Sequence, residues 1–197
     1  MIGAVKGLAG VLLAAAMLYG MQRTTPLYSD IISPVPVAGR QGERVDTGAF
    51  AIGVADVHLA RVVKASRFGR TRTYTTSGVW VIIEAAAAAK QESLSLTSAK
   101  WLGPNGVRHA LSQRFSAMPG MLGSERLEPG IPRPMLMAFE VPESQLSGAT
   151  LLIARSAVTP LAEEAWIEMT DVRAQDIRPA VTLGRGNRSQ PWTLEAE

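Results

Sequence analysis

The chain has 197 residues, 47% of them hydrophobic and 19% charged, with 18 Gly, 12 Pro, two His and no Cys. This composition excludes a disordered or collagen-like chain, and the missing cysteines exclude disulfides, thiolate metal sites and cysteine nucleophiles. Twenty basic against 17 acidic residues leave a net charge of +3, too small an excess to point to nucleic acid. The distribution is more telling. Between residues 51 and 80, Arg61, Lys64, Arg67, Arg70 and Arg72 face a single acid, Asp56, whereas residues 161–197 hold seven acids and four arginines.

Residues 2–21 form an apolar run of Gly, Ala, Val, Leu, Ile, Met and one Tyr, interrupted only by Lys6. As a helix rising 1.5 Å per residue it reaches about 30 Å, the thickness of a bilayer core. Lys6 can snorkel to the headgroups, and Tyr19 stands where an interfacial aromatic belongs. We therefore expect a transmembrane signal-anchor over residues 1–22. A cleaved signal peptide is the competing reading, with Ala14-Ala15-Ala16 as the small-residue site, but cleavage there leaves a short apolar core and starts the mature chain at Met17. Lys6 favours a cytoplasmic N-terminus, which places the rest of the chain outside the inner membrane. Gly3 and Gly7, then Ala16 and Gly20, recur at a spacing that lets a second helix pack closely.

Residues 23–47, with Pro26, Pro34 and Pro36, read as an extended linker. From residue 48 the hydrophobic period is two. Phe50, Ile52 and Val54 share one face; Val57 and Leu59 continue on the opposite parity, which predicts a bulge near Ala55-Asp56. The basic stretch that follows reads as a solvated loop, ended by a turn at Ser77-Gly78. Val79 to Ile83 is continuously apolar and β-branched, the pattern of a strand buried on both faces. Residues 84–92 have the composition of a helix, yet they run on from the best strand; we expect strand to about Ala88 and a turn at Lys90-Gln91. Leu94 and Leu96 alternate with polar neighbours, Gly103-Pro104-Asn105-Gly106 is a turn, and Met135, Met137, Phe139 and Val141 alternate again. Leu151-Leu152-Ile153, residues 165–170 and residues 180–183 complete an antiparallel sandwich over residues 48–184. Residues 185–197 read as a polar tail.

The order Gly78-Val79-Trp80-Val81-Ile82-Ile83-Glu84, Leu94-Ser95-Leu96, Trp101-Leu102-Gly103-Pro104-Asn105-Gly106, Leu127-Glu128-Pro129-Gly130 and Phe139-Glu140-Val141-Pro142 resembles that of telokin-like domains of unknown function. Those domains occur on bacterial lipoproteins and membrane-anchored surface proteins. The resemblance implies an all-β, immunoglobulin-like sandwich outside the cytoplasm and no catalytic residues. Gly103-Pro104 stands where those domains commonly carry an acid, so no metal site is expected there.

No catalytic constellation emerges. His58 lies two residues from Asp56 and reads as half of a solvent-facing polar pair; His109 follows a turn; no Gly-x-Ser-x-Gly elbow is present. We expect no enzyme, no cofactor and no metal. Two stretches suit contact instead: the basic one, with Arg67, Arg70 and Arg72 offered to an anionic lipid or glycan, and the Gly/Pro-rich segment 117–134, whose Met118, Met121 and Leu122 suit a core lid or an adaptable partner surface. Trp166 and Trp192 are candidate interface anchors. The expected function is that of an accessory or scaffold protein binding the bilayer and another inner-membrane or periplasmic subunit, with an anionic-ligand module as the alternative.

Overall fold

The computed structural model describes residues 2–25, 33–67, 70–116, 118–158, 161–187 and 191–196, without the side chains of residues 2–6, 8 and 67. It divides into two units, residues 1–33 and residues 34–197. The first contains α1 (Ile2–Thr24), built from strong helix formers. Its last turn is closed by hydroxyls: Thr24 Oγ1 donates to the Gly20 carbonyl at 3.0 Å and Thr25 Oγ1 to that of Met21 at 2.7 Å. Among the described residues no helix is long and apolar enough to cross a membrane.

The second unit is a β-sandwich. Its strands are β1 (Val35–Arg40), β2 (Arg44–Asp46), β3 (Phe50–Arg67), β4 (Arg70–Ala89), β5 (Ser98–Leu102), β6 (Arg108–Ala110), β7 (Arg133–Val141), β8 (Thr150–Ala154), β9 (Glu163–Glu168), β10 (Arg178–Arg185) and β11 (Trp192–Ala196). One sheet has five strands in the order β1-β9-β8-β5-β6; the other has six, in the order β11-β10-β3-β4-β7 with β2 beside β3. Alternate residues of the two sheets meet in the main core. Phe50, Ile52, Val81, Ile83, Met137 and Phe139 come from the larger sheet, and Trp101, Leu151, Ile153 and Ile167 from the smaller.

The parity slip in β3 is a real bulge: the register with β4 shifts between Val54 and Asp56. The alanine run is strand as far as Ala89, because β4 is central and pairs with β3 on one side and β7 on the other. That ladder, double as far as Ala87, pairs the backbone of a segment too short to be a stable helix alone. The small side chains of Ala85, Ala87 and Ala89 are buried in the core.

Several boundaries and pairings differ from expectation. The sandwich begins before residue 48: β1 and β2 fall in the expected linker. Pro36 is tolerated because β1 is an edge strand whose one neighbour is β9, and Gly39 is needed because Val45 fills the place of a Cβ. The expected tail contributes β11, paired along β10. The sheets are mixed, not antiparallel throughout, since β1 runs parallel to β9 and β10 parallel to β3. Leu94 and Leu96 are buried but make only an isolated bridge, Leu94 to Leu127, in place of a full strand. The basic stretch is the far half of the β3–β4 hairpin, and Ser77-Gly78 is no turn. Between the pairs Ala60–Trp80 and Val62–Thr75, β4 accommodates extra residues in a wide bulge. Gly78 sits in that bulge because the Val141 carbonyl approaches where a Cβ would stand.

Candidate functional site

Beyond that bulge the hairpin forms an arm, residues 62–67 of β3 and 70–75 of β4. β10 joins it in parallel, Leu183 against Ala65, and β11 follows antiparallel, Trp192 against Arg185. On a flat sheet Trp192 would stand near the arm's tip, level with Arg67. That is eleven positions along β3 from Asp56, the partner of Glu84, or about 36 Å away at strand rise. Yet Trp192 Nε1 donates to Glu84 Oε2 at 2.8 Å. Both facts hold only if the sheet turns back on itself at the bulge, so that the arm lies over the outer face of its own sheet.

A second hydrophobic cluster fills the space beneath the arm. Val63, Ala65, Val181 and Leu183 meet Trp80, Ile82, Leu136 and Ala138, and the strap around the 3-10 turn Gln113–Phe115 closes the side with Phe115, Met118 and Met121. Phe115 presents edge-on contacts to Tyr74 and Trp80, with centroids at 4.6 and 4.9 Å. Arg114 lies over the same two rings at 5.2 and 5.1 Å, donates to the Thr75 carbonyl at 2.8 Å and pairs with Glu140 at 3.1 Å. Trp80 Nε1 donates to the Tyr74 carbonyl at 3.1 Å. Cation–π contacts and charge-assisted hydrogen bonds together tie strap to arm.

The polar clasp beneath the arm is Glu84. Its Oε1 lies 2.8 Å from His58 Nε2 and its Oε2 takes the Trp192 indole; the Glu84 side chain is only 14% exposed. A carboxylate so far withdrawn from water needs such partners. His58 therefore pairs with Glu84 and not, as expected, with Asp56 at the surface. Glu84 does not stand out in the sequence, where it opens the alanine run. Its parity with Trp80 and Ile82, a lone charge on a face otherwise apolar, was the available signal.

The tip of the arm is different in character. Residues 70–73 are all exposed, so both faces of the strand are wet. Arg67 is paired directly with Arg70, a like-charge arrangement that disfavours the hairpin. Among the described residues Arg70, Arg72 and Arg185 have no ion-pair partner, whereas Arg61 and Arg114 lower on the molecule are matched by Glu143 and Glu140. Guanidinium groups held this way bind phosphate and carboxylate oxygens.

The candidate contact residues thus separate. Arg67, Arg70 and Arg72 come together at the tip, though the side chain of Arg67 lies outside the described residues. Met118 and Met121 are buried in the second cluster and Leu122 is half-buried against the main core, which leaves them no free partner surface. Trp192 is buried too, 2% exposed, because its ring packs on Gly120 (φ 78°), where a Cβ would collide with it. Trp166 is half-buried on the smaller sheet, its indole donating to Glu164 at 2.9 Å, away from the arm. Gly7, Ala16 and Gly20 lie on the exposed surface of α1; Gly3 lies within the helix, but its surroundings fall outside the described residues.

No family model matches the chain, and no curated protein matches it in sequence. Solved structures do. The yjhA protein from Bacillus subtilis is similar at 14% identity with a TM-score of 0.51, over 66% of this chain and 98% of that one. A secreted protein from Mycobacterium tuberculosis, MPT63, gives 15% identity and a TM-score of 0.48 over 69% and 99%. An uncharacterized β-sandwich protein from Clostridium difficile gives 11% and 0.43 over 69% and 95%. At 14% identity the likeness to the yjhA protein is one of fold alone.

Proposed function

We propose that this chain is a single-pass inner-membrane protein whose sandwich works outside the cytoplasm as an accessory or scaffold subunit, acting by binding and not by catalysis. The observation that carries this reading is the surface of α1. Val11, Leu12, Leu13, Met17, Leu18 and Tyr19 point in directions all round the helix, and each is 60–66% exposed. An apolar helix whose described side chains bury no face within their own unit calls for an apolar environment. With residues 2–6 counted from the sequence, its 23 residues make about 35 Å, and Lys6 is the one charge before Arg23. Gly3, Gly7, Ala16 and Gly20 offer the close approach that a partner helix would use. The resemblance to telokin-like, immunoglobulin-fold domains of membrane-anchored proteins supports the same placement.

One observation favours the alternative of an anionic-ligand module: the exposed arginines of the arm tip, described above. The two readings are compatible in one molecule, the helix holding the protein and the arm making contact. Resistance to alkaline carbonate extraction, with the sandwich digestible by protease in spheroplasts, is the expected outcome. Release by carbonate refutes the anchor. Purification in mild detergent is expected to retain a stoichiometric membrane partner, and a lone monomer would count against the scaffold role.

A further inference from the structure

We infer that the arm tip docks on anionic phospholipid headgroups of the same bilayer that anchors the chain, an inference that rests on the anchored reading above. It follows from where the fold-back sends the tip. The chain enters the sandwich at Val35, opposite Glu163. The Glu163 carboxylate receives the Gly48 amide, the Lys90 amide donates to the Ala49 carbonyl at 3.0 Å, and Phe50 pairs with Ala89. Val35, the start of β3 and the finish of β4 therefore share one end of the sandwich.

From that end β3 runs outward to Ala60 and the arm then returns. Had the hairpin stayed straight, its tip would stand seventeen positions beyond Phe50, about 56 Å from the entry end. Instead Trp192, which is level with the tip, is clasped to Glu84, five positions from Ala89, or about 17 Å from that end. The arm's strands thus run back toward the end at which the chain arrives.

Ten residues separate Thr24 at the end of α1 from Val35, at most about 40 Å of chain. A tether of that length lets the entry end, and with it Arg70 and Arg72, reach the bilayer. The surface they approach is a dense array of phosphates, and each arginine near an anionic leaflet is worth roughly fivefold in contact equilibrium. The exposed guanidiniums of Arg70 and Arg72, with no ion-pair partner among the described residues, gain one in phosphate oxygens. An acidic protein partner would meet the same charges, but nothing in the fold would then require the tip to return to the entry end.

The chain has no cysteine, so Thr73→Cys, at an exposed position on the arm, accepts a single environment-sensitive fluorophore. The labelled full chain is reconstituted into vesicles of phosphatidylcholine alone or mixed with phosphatidylglycerol, and quenching by headgroup-labelled lipid is read. Strong quenching is expected only in the anionic vesicles, reduced by high salt and lost, by about 100-fold in contact equilibrium, in Arg67→Ser/Arg70→Ser/Arg72→Ser. The triple Arg→Lys variant is expected to retain most of it, and tryptophan emission of each variant reports that the arm's clasp is intact. Equal quenching in both vesicle types overturns the inference, as does full competition by soluble glycerophosphoglycerol, which would make a free phosphate ester the ligand. Absence of quenching in a chain that resists carbonate extraction overturns the docking and leaves the anchor standing. Release by carbonate removes both.

Discussion

The clasp at Glu84 is one of the contacts that hold the folded-back arm, and its strength can be worked out. Glu84→Ala removes the acceptor of two hydrogen bonds to a charged group, each worth about 1.5–3 kcal/mol when well made. His58, 25% exposed, recovers part of its loss from water. Trp192 is 2% exposed, and its indole N–H is left unpaired at a cost of about 1–3 kcal/mol. The expected net loss is about 3 kcal/mol, or roughly 6–12 °C in Tm for a domain of this size. Trp192→Phe keeps the ring against Gly120 and removes only the donor, for an expected loss of about 2 kcal/mol. Chemical unfolding of the wild type, both single variants and the double variant in one detergent completes the cycle. A coupling of at least about 1 kcal/mol is expected between the two sites. Accelerated exchange of β11 amides in Glu84→Ala would show that the arm, and not the whole sandwich, has loosened. If the two losses add within about 0.5 kcal/mol, the hydrogen bond does not hold the arm and the fold-back needs another cause.

Three further outcomes are expected. Gly78→Ala drives a Cβ into the Val141 carbonyl, and since backbone must yield, the loss is expected to reach at least about 2 kcal/mol in thermal unfolding; a neutral result would mean the bulge is plastic. Phe115→Ala empties the centre of the second cluster beneath Arg114 and should cost about 3–5 kcal/mol, seen as a Tm drop together with a red shift of Trp80 emission. Arg70→Glu replaces a like-charge pair by an opposite one across the hairpin and should stabilise by roughly 0.2–0.5 kcal/mol while abolishing quenching in anionic vesicles. A gain in stability with loss of contact is what a surface kept for binding predicts; loss of both refutes it.

Much was determined by local sequence alone. The apolar helix, the bulge near Asp56, the central strand from Val79, the turn at Gly103-Pro104-Asn105-Gly106 and the clustering of arginine between residues 61 and 72 all follow from periodicity, side-chain volume and turn chemistry, which act within a few residues. The strand state of the alanine run was also legible, because a two-sided apolar strand leads into it. Tertiary structure decided the rest. β1 and β11 lack a pattern of their own and exist because edge positions beside β9 and β10 complete ladders contributed by distant segments. Met118, Met121 and Trp192 look like contact residues in sequence and are buried because the arm folds over them. Glu84 and His58, 26 residues apart, meet across β3 and β4 and are joined by an indole 108 residues further on, a convergence that no spacing encodes. Composition and charge specified that this chain carries an apolar helix and a basic stretch. Only the fold-back, a long-range balance of buried ring area and one paired carboxylate, decided toward which end of the sandwich that basic stretch points.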